Sequence, residues 1–363
     1  MTGPAAPLIS VVLPVGDVAE FLPACLDSVL GPAGQVGLEV IAVDDASRDG
    51  SGGILDRRAG QDPRLRVIHL AGNAGPGAAR TRGLAEAAGT YVWFVDPDDL
   101  LADGALAAVA GELTHGRPDV LLIDYLILGS SGQTRPSPGA ALLAAPRGAA
   151  ATLTLVERPA LLDRTMTVWS KVFRREFLLG LGVCFPPGIH EDVPVSCAAL
   201  LGAERIALLD RVCYLYRRRR RSFLATVSMD HFSIFSSYEQ VFARLDAGAG
   251  PAAGAGVRAA LFGRAIEHYS TVLASGLVPR GARRSFFRRM AADYRRYRPP
   301  GYRHPPGLRG LKFALIERDA YPAYLVLGPL NHARVAVARA RRARPGWRAA
   351  AARQGGGPVI RAG

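Results

Sequence analysis

Four short apolar runs in the first 96 residues, each followed by a helical or turn segment, leave few folds open to this chain. LISVVLP (8–14) is followed by VAEFLPACLDSVL, whose apolar positions recur at helical spacing. LEVIAVDD (38–45) leads through the polar turn ASRDGS into a short helix expected over Ile54–Ala59. RLRVIHL (64–70) forms a third strand, GPGAARTRGLAEAAG (75–89) a third helix ended by Gly89, and YVWFVD the fourth strand. Continuous apolar runs that alternate with helices predict an α/β fold, a mostly parallel sheet covered by helices on both faces. In such sheets ligands bind outside the carboxyl ends of the strands.

Acids gather at those ends. Asp44 and Asp45 close the second strand, and TYVWFVDPDDLL (90–101) drives the fourth into Asp96, Asp98 and Asp99. Carboxylates this close destabilise each other unless they are hydrated, protonated or neutralised by a cation. A polar turn built on Asp and Pro accounts for one such end. Acid at two strand ends of one sheet points to a site, with Asp96 and Asp98 offering hard oxygen ligands to a divalent metal. The turn after the first strand, PVGDVAEF, lacks GxGxxG, and GxxxxGK[ST] occurs nowhere, so neither a dinucleotide fold nor a P-loop has its glycine cradle. GNAGPGAARTRG (72–83) is either a helix start with solvated Arg80 and Arg82, or a set of backbone N–H groups presented with Arg80 to a diphosphate.

Charge is uneven along the chain. Of a net +14, residues 1–120 carry 8 basic against 16 acidic side chains, residues 121–210 carry 8 of each, and residues 211–363 carry 29 against 7. An acidic front and a basic rear suggest different partners. Cys25, Cys184, Cys197 and Cys213 show no CxxC spacing, which argues against a disulfide framework or structural zinc and fits a reducing cytoplasm. MTGPAAPLISVVLP lacks the pattern of a signal peptide, and no apolar run reaches the ~18 residues of a spanning helix. The expectation is a cytoplasmic protein, soluble or peripheral on the inner face of the plasma membrane.

In order, VVLPVGDVAEFL, VDDASRDGS, NAGPGAARTRGL and FVDPDDLL resemble the family 2 glycosyltransferases, inverting enzymes of the GT-A fold that use nucleotide-sugar donors. The likeness covers most of residues 8–115 and resumes at VWSKVFRREFL (168–178), GIHEDVPVS (188–196) and YLYRRRRRS (214–222). These later segments are similar to those of members that build or decorate bacterial cell-surface polymers such as teichoic acid or capsule. The resemblance implies a Rossmann-like GT-A domain with a nucleotide-sugar-binding half (1–128) and an acceptor half (129–228), followed by a helical Arg-rich region (229–363). It implies that Pro14, Asp44 and Asp45 line the nucleotide, and Asn73 and Arg80 the nucleoside and diphosphate. Asp96 and Asp98 would be the DxD pair that holds the nucleotide and a Mg²⁺ or Mn²⁺. Lys171, with Trp169, would bind and shape the acceptor side, Arg219 would approach the diphosphate or an anionic acceptor, and Asp192, beside Glu191, would be the catalytic base. The implied reaction moves a sugar, from a UDP-sugar first of all, to a hydroxyl of a cell-envelope polysaccharide, a teichoic-acid-like polymer or a lipid-linked acceptor.

Plainer readings stand beside these. Glu191 and Asp192 suit a helix N-terminus by charge alone, His190 reads as a surface histidine, Trp169 as a packed aromatic and Lys171 as a solvated amine. A nucleotidyltransferase of similar sheet would need a Gly-rich phosphate loop that is absent, and a non-catalytic nucleotide-sugar-binding relative would be expected to lose an acid that here stands. Gly16 and Asp17 occupy positions where members usually carry an aromatic residue and Asn, so a stacking surface for the base is missing or supplied elsewhere. Pro97 separates the two aspartates and removes an N–H.

Residues 129–148 (GSSGQTRPSPGAALLAAPRG) read as a flexible loop. From about Asp230 the pattern is helical, broken at 247–256 and 298–307. RRSFFRRMAADYRRYR (283–298) sets Phe286, Phe287, Tyr294 and Tyr297 among arginines. No nucleic-acid motif accompanies it, so the partner expected for residues from about 283 to the end is an anionic membrane surface, where each Lys or Arg contributes about 1 kcal/mol, or an anionic polymer.

Overall fold

The computed structural model describes residues 6–31, 36–144, 152–164, 166–218, 226–248 and 254–327. They fall into two compact units, one up to Tyr302 and one from Arg303 on. In the first, β1 (Ile9–Val15), β2 (Leu38–Asp44), β3 (Leu65–His69) and β4 (Tyr91–Phe94) pair in parallel in the order β3-β2-β1-β4. They alternate with α1 (Leu22–Leu30), α2 (Ser51–Ala59) and α3 (Pro76–Glu86). Every residue of β1 is buried. Because successive side chains of a strand point to opposite faces, Val11, Leu13 and Val15 join α1 and α4 (Ala105–Gly116) in one core. Val12 faces the other way, onto Gly83 of α3.

The parallel run ends at β4. β8 (Lys171–Arg174) lies antiparallel between β4 and β6 (Val120–Leu128), β9 (Ile206–Arg217) runs parallel to β6, and β5 (Leu100–Leu101) pairs antiparallel with β9. The sheet of nine strands is thus parallel in its first four and mixed beyond them. The reversal has a consequence for the site. Since β8 starts where β4 ends, residues 166–170 arrive at the carboxyl end of β4, beside the Asp96–Asp99 turn. β9, parallel to β6, finishes at that same end. Between β8 and β9 come α5 (Arg175–Gly180) and α6 (Asp192–Gly202).

Several local expectations change. α2 starts at Ser51 rather than Ile54. α3 stops at Glu86, three residues before Gly89, because the Ala88 and Gly89 N–H groups turn to Glu39 and Ser10. The described part of 129–148 is not a flexible loop: β7 (Thr134–Pro136) pairs with β6, and a 3₁₀ turn, Ala140–Leu143, buries Leu143. Residues 145–148 lie outside the described residues.

Helices α7 (Ser233–Asp246), α8 (Ala255–Ala274) and α9 (Arg283–Tyr297) complete the first unit, with the breaks where the Gly/Pro-rich stretches predict them. The aromatics of α9 do not face a membrane. Phe286, Phe287, Tyr294 and Tyr297 are buried, Phe286 on Phe235 (ring centroids 4.6 Å), Tyr297 stacked on Phe242 (4.1 Å) and Tyr294 edge-on to Phe262 (4.9 Å). Their spacing reflects an amphipathic helix sealed into the core. The second unit holds α10 (Gly307–Glu317), where His304 pairs with Glu317 at 3.0 Å. Among the described residues no helix is long and apolar enough to cross a membrane.

Candidate active site

A cavity of about 650 Å³ opens at the carboxyl ends of β1, β2 and β4. The front third of the chain contributes Pro14, Asp45, Asn73, Arg80, Asp96 and Asp98 to its lining; later segments contribute Met166, Trp169, His190, Asp192, Tyr216 and Arg264.

Arg80 is the hub. It lies on α3, 4% exposed, and donates from Nη1 to Glu191 Oε1 (2.6 Å) and from Nη2 to Asp96 Oδ1 (2.8 Å). Asp192 Oδ1 is 3.2 Å from the same Nη1. Burial opposes its charge, but Asp192, Asp96 and Glu191 outweigh burial and raise its pKa. Arg80 therefore ties Asp96, in the turn after β4, to the two acids at the start of α6. The approach of α3 is close at Gly77, where a Cβ would sit 3.1 Å from Phe185 Cβ and 3.2 Å from Pro186 O.

Asp192 is the first residue of α6, and Val168 N donates to its Oδ2 at 3.2 Å. Its Oδ1 is buried without a hydrogen bond. Burial pushes the carboxyl up, Arg80 pulls it down, and Glu191 and Asp96 push it up again, to about 7.

The acidic turn after β4 divides its labour. Asp99 is buried and points back into the fold: Oδ2 accepts from Tyr214 Oη (2.8 Å) and Oδ1 from Arg217 N (2.6 Å). Tyr214 Oη in turn accepts from Asp96 N (3.0 Å), which fixes the turn to β9. Asp96, Asp98 and Asp99 can bring carboxylate oxygens within 4.8 Å of one another. Burial, with Asp98 and Asp96 beside it, holds the Asp99 carboxyl well above its usual range. This acidic group could hold a hard divalent cation, with Asp96 and Asp98 on the cavity wall as the available ligands.

Other predicted residues take different places. Pro14 and Asn73 line the cavity, and Asn73 Nδ2 donates to Asp45 O (3.3 Å). Asp45 is spent on structure: its carboxylate accepts from the N–H groups of Ala74 (2.6 Å) and Gly75 (2.8 Å), which sets the entry to α3. Asp44 does not line the cavity. It bonds Ser47 N (3.1 Å) and His69 Nδ1 (2.8 Å), and although burial opposes ionisation, these partners hold its carboxyl below the usual range. Lys171 is buried beneath the cavity rather than solvated; Nζ donates to Thr167 O (2.8 Å) and Ser170 Oγ (3.3 Å). Burial, then Arg164, pushes its pKa down to about 7. Arg219 lies outside the described residues.

Trp169, in the segment the resemblance places on the acceptor side, lines the cavity and stacks on Tyr214 (4.6 Å) and Tyr216 (5.3 Å). Sequence reasoning missed Tyr216 and several other residues of the site. His190 is no surface residue: it lines the cavity, with rings of His231 and His268 at 5.6 Å and 5.2 Å, and burial, then His231, pushes its pKa down to about 3. Arg264 and His268 reach the cavity from α8, more than 70 residues beyond Asp192, where no motif marks them.

Comparison with known proteins bears on this arrangement. Residues 10–148 match the family model described as glycosyl transferase family 2. An uncharacterized glycosyltransferase of Bacillus subtilis, EpsJ, is 32% identical over 224 residues, 60% of this chain and 62% of that protein. The succinoglycan biosynthesis protein ExoO of Rhizobium meliloti is 26% identical over 249 residues, covering 66% of this chain and 68% of its own length. This chain thus spans about three fifths of EpsJ, and 39% of the Streptococcus pneumoniae glycosyltransferase GlyG. The crystal structure of S. aureus TarS 1–349 in complex with UDP-GlcNAc superposes with a TM-score of 0.70 over 89% of this chain and 91% of that one, at 20% identity, a likeness of fold. Residues 10–148 thus match glycosyl transferase family 2, and they stand on a GT-A fold shared with TarS.

Proposed function

We propose that the protein is an inverting glycosyltransferase that moves a sugar from a nucleotide diphosphate, a UDP-sugar first of all, to a hydroxyl of a cell-envelope polymer or lipid-linked acceptor. The observation that carries this reading is Asp192. A carboxylate oxygen without a hydrogen bond stands in the wall of one cavity with the Asp96/Asp98 pair, with its pKa raised to about 7. A base works best when its pKa lies near the operating pH. Asp192 takes the proton of the acceptor hydroxyl; the oxygen bonds to the anomeric carbon as the bond to the diphosphate breaks, with the leaving charge on the nucleotide. Attack from the face opposite the leaving group inverts the centre, and no protein nucleophile is needed. Asp96 and Asp98 would hold a Mg²⁺ or Mn²⁺, which would neutralise charge on the departing diphosphate. Arg80 keeps Asp96, Glu191 and Asp192 in register. The TarS complex with UDP-GlcNAc supports a UDP-sugar donor, and the names of relatives such as the putative teichuronic acid biosynthesis glycosyltransferase TuaG support an envelope acceptor. The Arg-rich segment 328–363 holds the enzyme against an anionic membrane surface.

The test is a panel of nucleotide sugars, read by thermal stabilisation and by transfer to water, with Mn²⁺ and with EDTA. One donor should stabilise the protein and be hydrolysed only with metal, and Asp98→Ala should lose both effects. Full turnover of wild-type protein in EDTA would sink the metal assignment; no stabilisation by any donor would sink the activity.

A further inference from the structure

Among the described residues two arginines line the cavity, and their surroundings are opposite. Arg80 is held by three carboxylates. Arg264, on α8, has no carboxylate within ion-pair distance among the described residues, which include every Asp and Glu of the chain. Its Nε is buried without a hydrogen-bond partner.

The groups around Arg264 add to the positive charge or leave it standing. Lys171 and Cys197 both lie close enough to feel its charge, and Cys197 sits on α6, the helix that Asp192 begins. Tyr238 Oη, near the guanidinium, also meets His268 Nδ1 at 3.2 Å. His268, one turn along α8, shares the cavity wall. Burial, then Arg264, holds its pKa well below the ordinary value, so its ring is neutral and can donate one hydrogen bond. A half-buried guanidinium without a counter-charge is costly. It is the residue suited to a planar two-point grip on a carboxylate or phosphate.

We propose that Arg264 and His268 form an anion-binding subsite at the acceptor end of the cavity, which receives a phosphate or carboxylate group of the acceptor as its hydroxyl meets Asp192. This deepens the transferase reading and rests on it for the word acceptor. Asp96 and Asp98 already offer what a donor diphosphate needs, whereas Arg264 shares α8 with His268, whose ring meets that of His190 at 5.2 Å, two residues before Asp192.

Calorimetry separates the possibilities. With UDP saturating, so that the diphosphate side is filled, sn-glycerol 3-phosphate and glucuronate are titrated into wild-type protein, Arg264→Gln and Arg264→Lys. The expected result is binding by wild type of at least one of the two anions, at least tenfold weaker in Arg264→Gln and intermediate in Arg264→Lys, with UDP affinity and melting temperature unchanged. The tenfold loss corresponds to about 1.4 kcal/mol. Equal anion affinity in wild type and Arg264→Gln, or no anion binding by UDP-loaded wild type, overturns the subsite. If UDP itself fails to bind, the donor reading falls, and the anion titration without UDP still decides whether Arg264 binds anions. If Arg264→Gln weakens UDP-glucuronate but not UDP-glucose or glycerol phosphate, the anion belongs to the donor sugar and the acceptor assignment is overturned.

Discussion

At Asp192 burial raises the carboxyl pKa, Arg80 lowers it, and Glu191 and Asp96 raise it again to about 7. As the proposed base it must be ionised, so transfer should fall on the acid side of about pH 7. Asp192→Asn keeps the shape but cannot accept a proton, so kcat should drop by roughly 10² to 10⁴, with donor affinity retained and the acid limb gone from the residual rate. Glu191→Gln inactive beside an active Asp192→Asn would move the base by one residue. Stability should respond in the same window. A folded pKa above the ordinary carboxyl value means the fold binds this proton more tightly than the unfolded chain does. The stability so gained is complete below the ordinary carboxyl range and is lost as pH rises through about 7. Asp192→Asn should therefore gain on wild type in urea melts at pH 8 relative to pH 5. The acids themselves were legible in the sequence, because charge at the end of an apolar run is its own signal. Their shared counter-ion was not: Arg80 sits 16 residues from Asp96 and 111 from Glu191, and only folding makes them partners.

Among the elements, α3 matters most, since it carries Arg80 and its distance from β1 fixes where that guanidinium lies. A Cβ on Gly83 would collide with Val12 Cγ1 of β1. Gly83→Ala should destabilise the fold by about 1–3 kcal/mol through overpacking, read by thermal melts. Val12→Ala in the same chain should recover part of that loss, since the two side chains share one contact. Additive losses in the double variant would show that the contact is not what Gly83 protects. Strand identities in the front third follow from their apolar runs. The direction of β8 does not, because a four-residue strand, Lys171–Arg174, reads the same either way, and its pairing partners β4 and β6 decide it. That direction brings Trp169 and residues 166–168 to the acidic turn.

Over the whole molecule, charge is segregated: −8 in residues 1–120 and +22 in residues 211–363. Much of the aromatic content of that basic region is core, as α9 demonstrates, so any surface role falls to its arginines. Residues 328–363 contain eight Arg and no Asp or Glu. A chain ending at Leu327 should lose sedimentation with anionic phosphatidylglycerol vesicles and keep donor hydrolysis. Binding by the full chain should fade between 0.1 M and 1 M salt, as the Debye length shortens from about 10 Å to about 3 Å. Vesicle binding that survives both the truncation and 1 M salt would remove this segment from the interaction.

By itself the sequence determined which runs become strands and which acids close them, because hydrophobic periodicity and charge act over a few residues and need no distant partner. It also carried the family likeness, which motifs in fixed order convey without any geometry. Only the tertiary structure decided what each charged group does. Asp44 and Asp45 look alike on the chain, yet one is held by Ser47 and His69 and the other by the backbone entering α3. Arg80 and Arg264 are both arginines on helices, yet three carboxylates hold the first and none among the described residues lies within ion-pair distance of the second. Electrostatic roles depend on distance and burial in space, and those quantities exist only once α3, α6 and α8 have packed around one cavity.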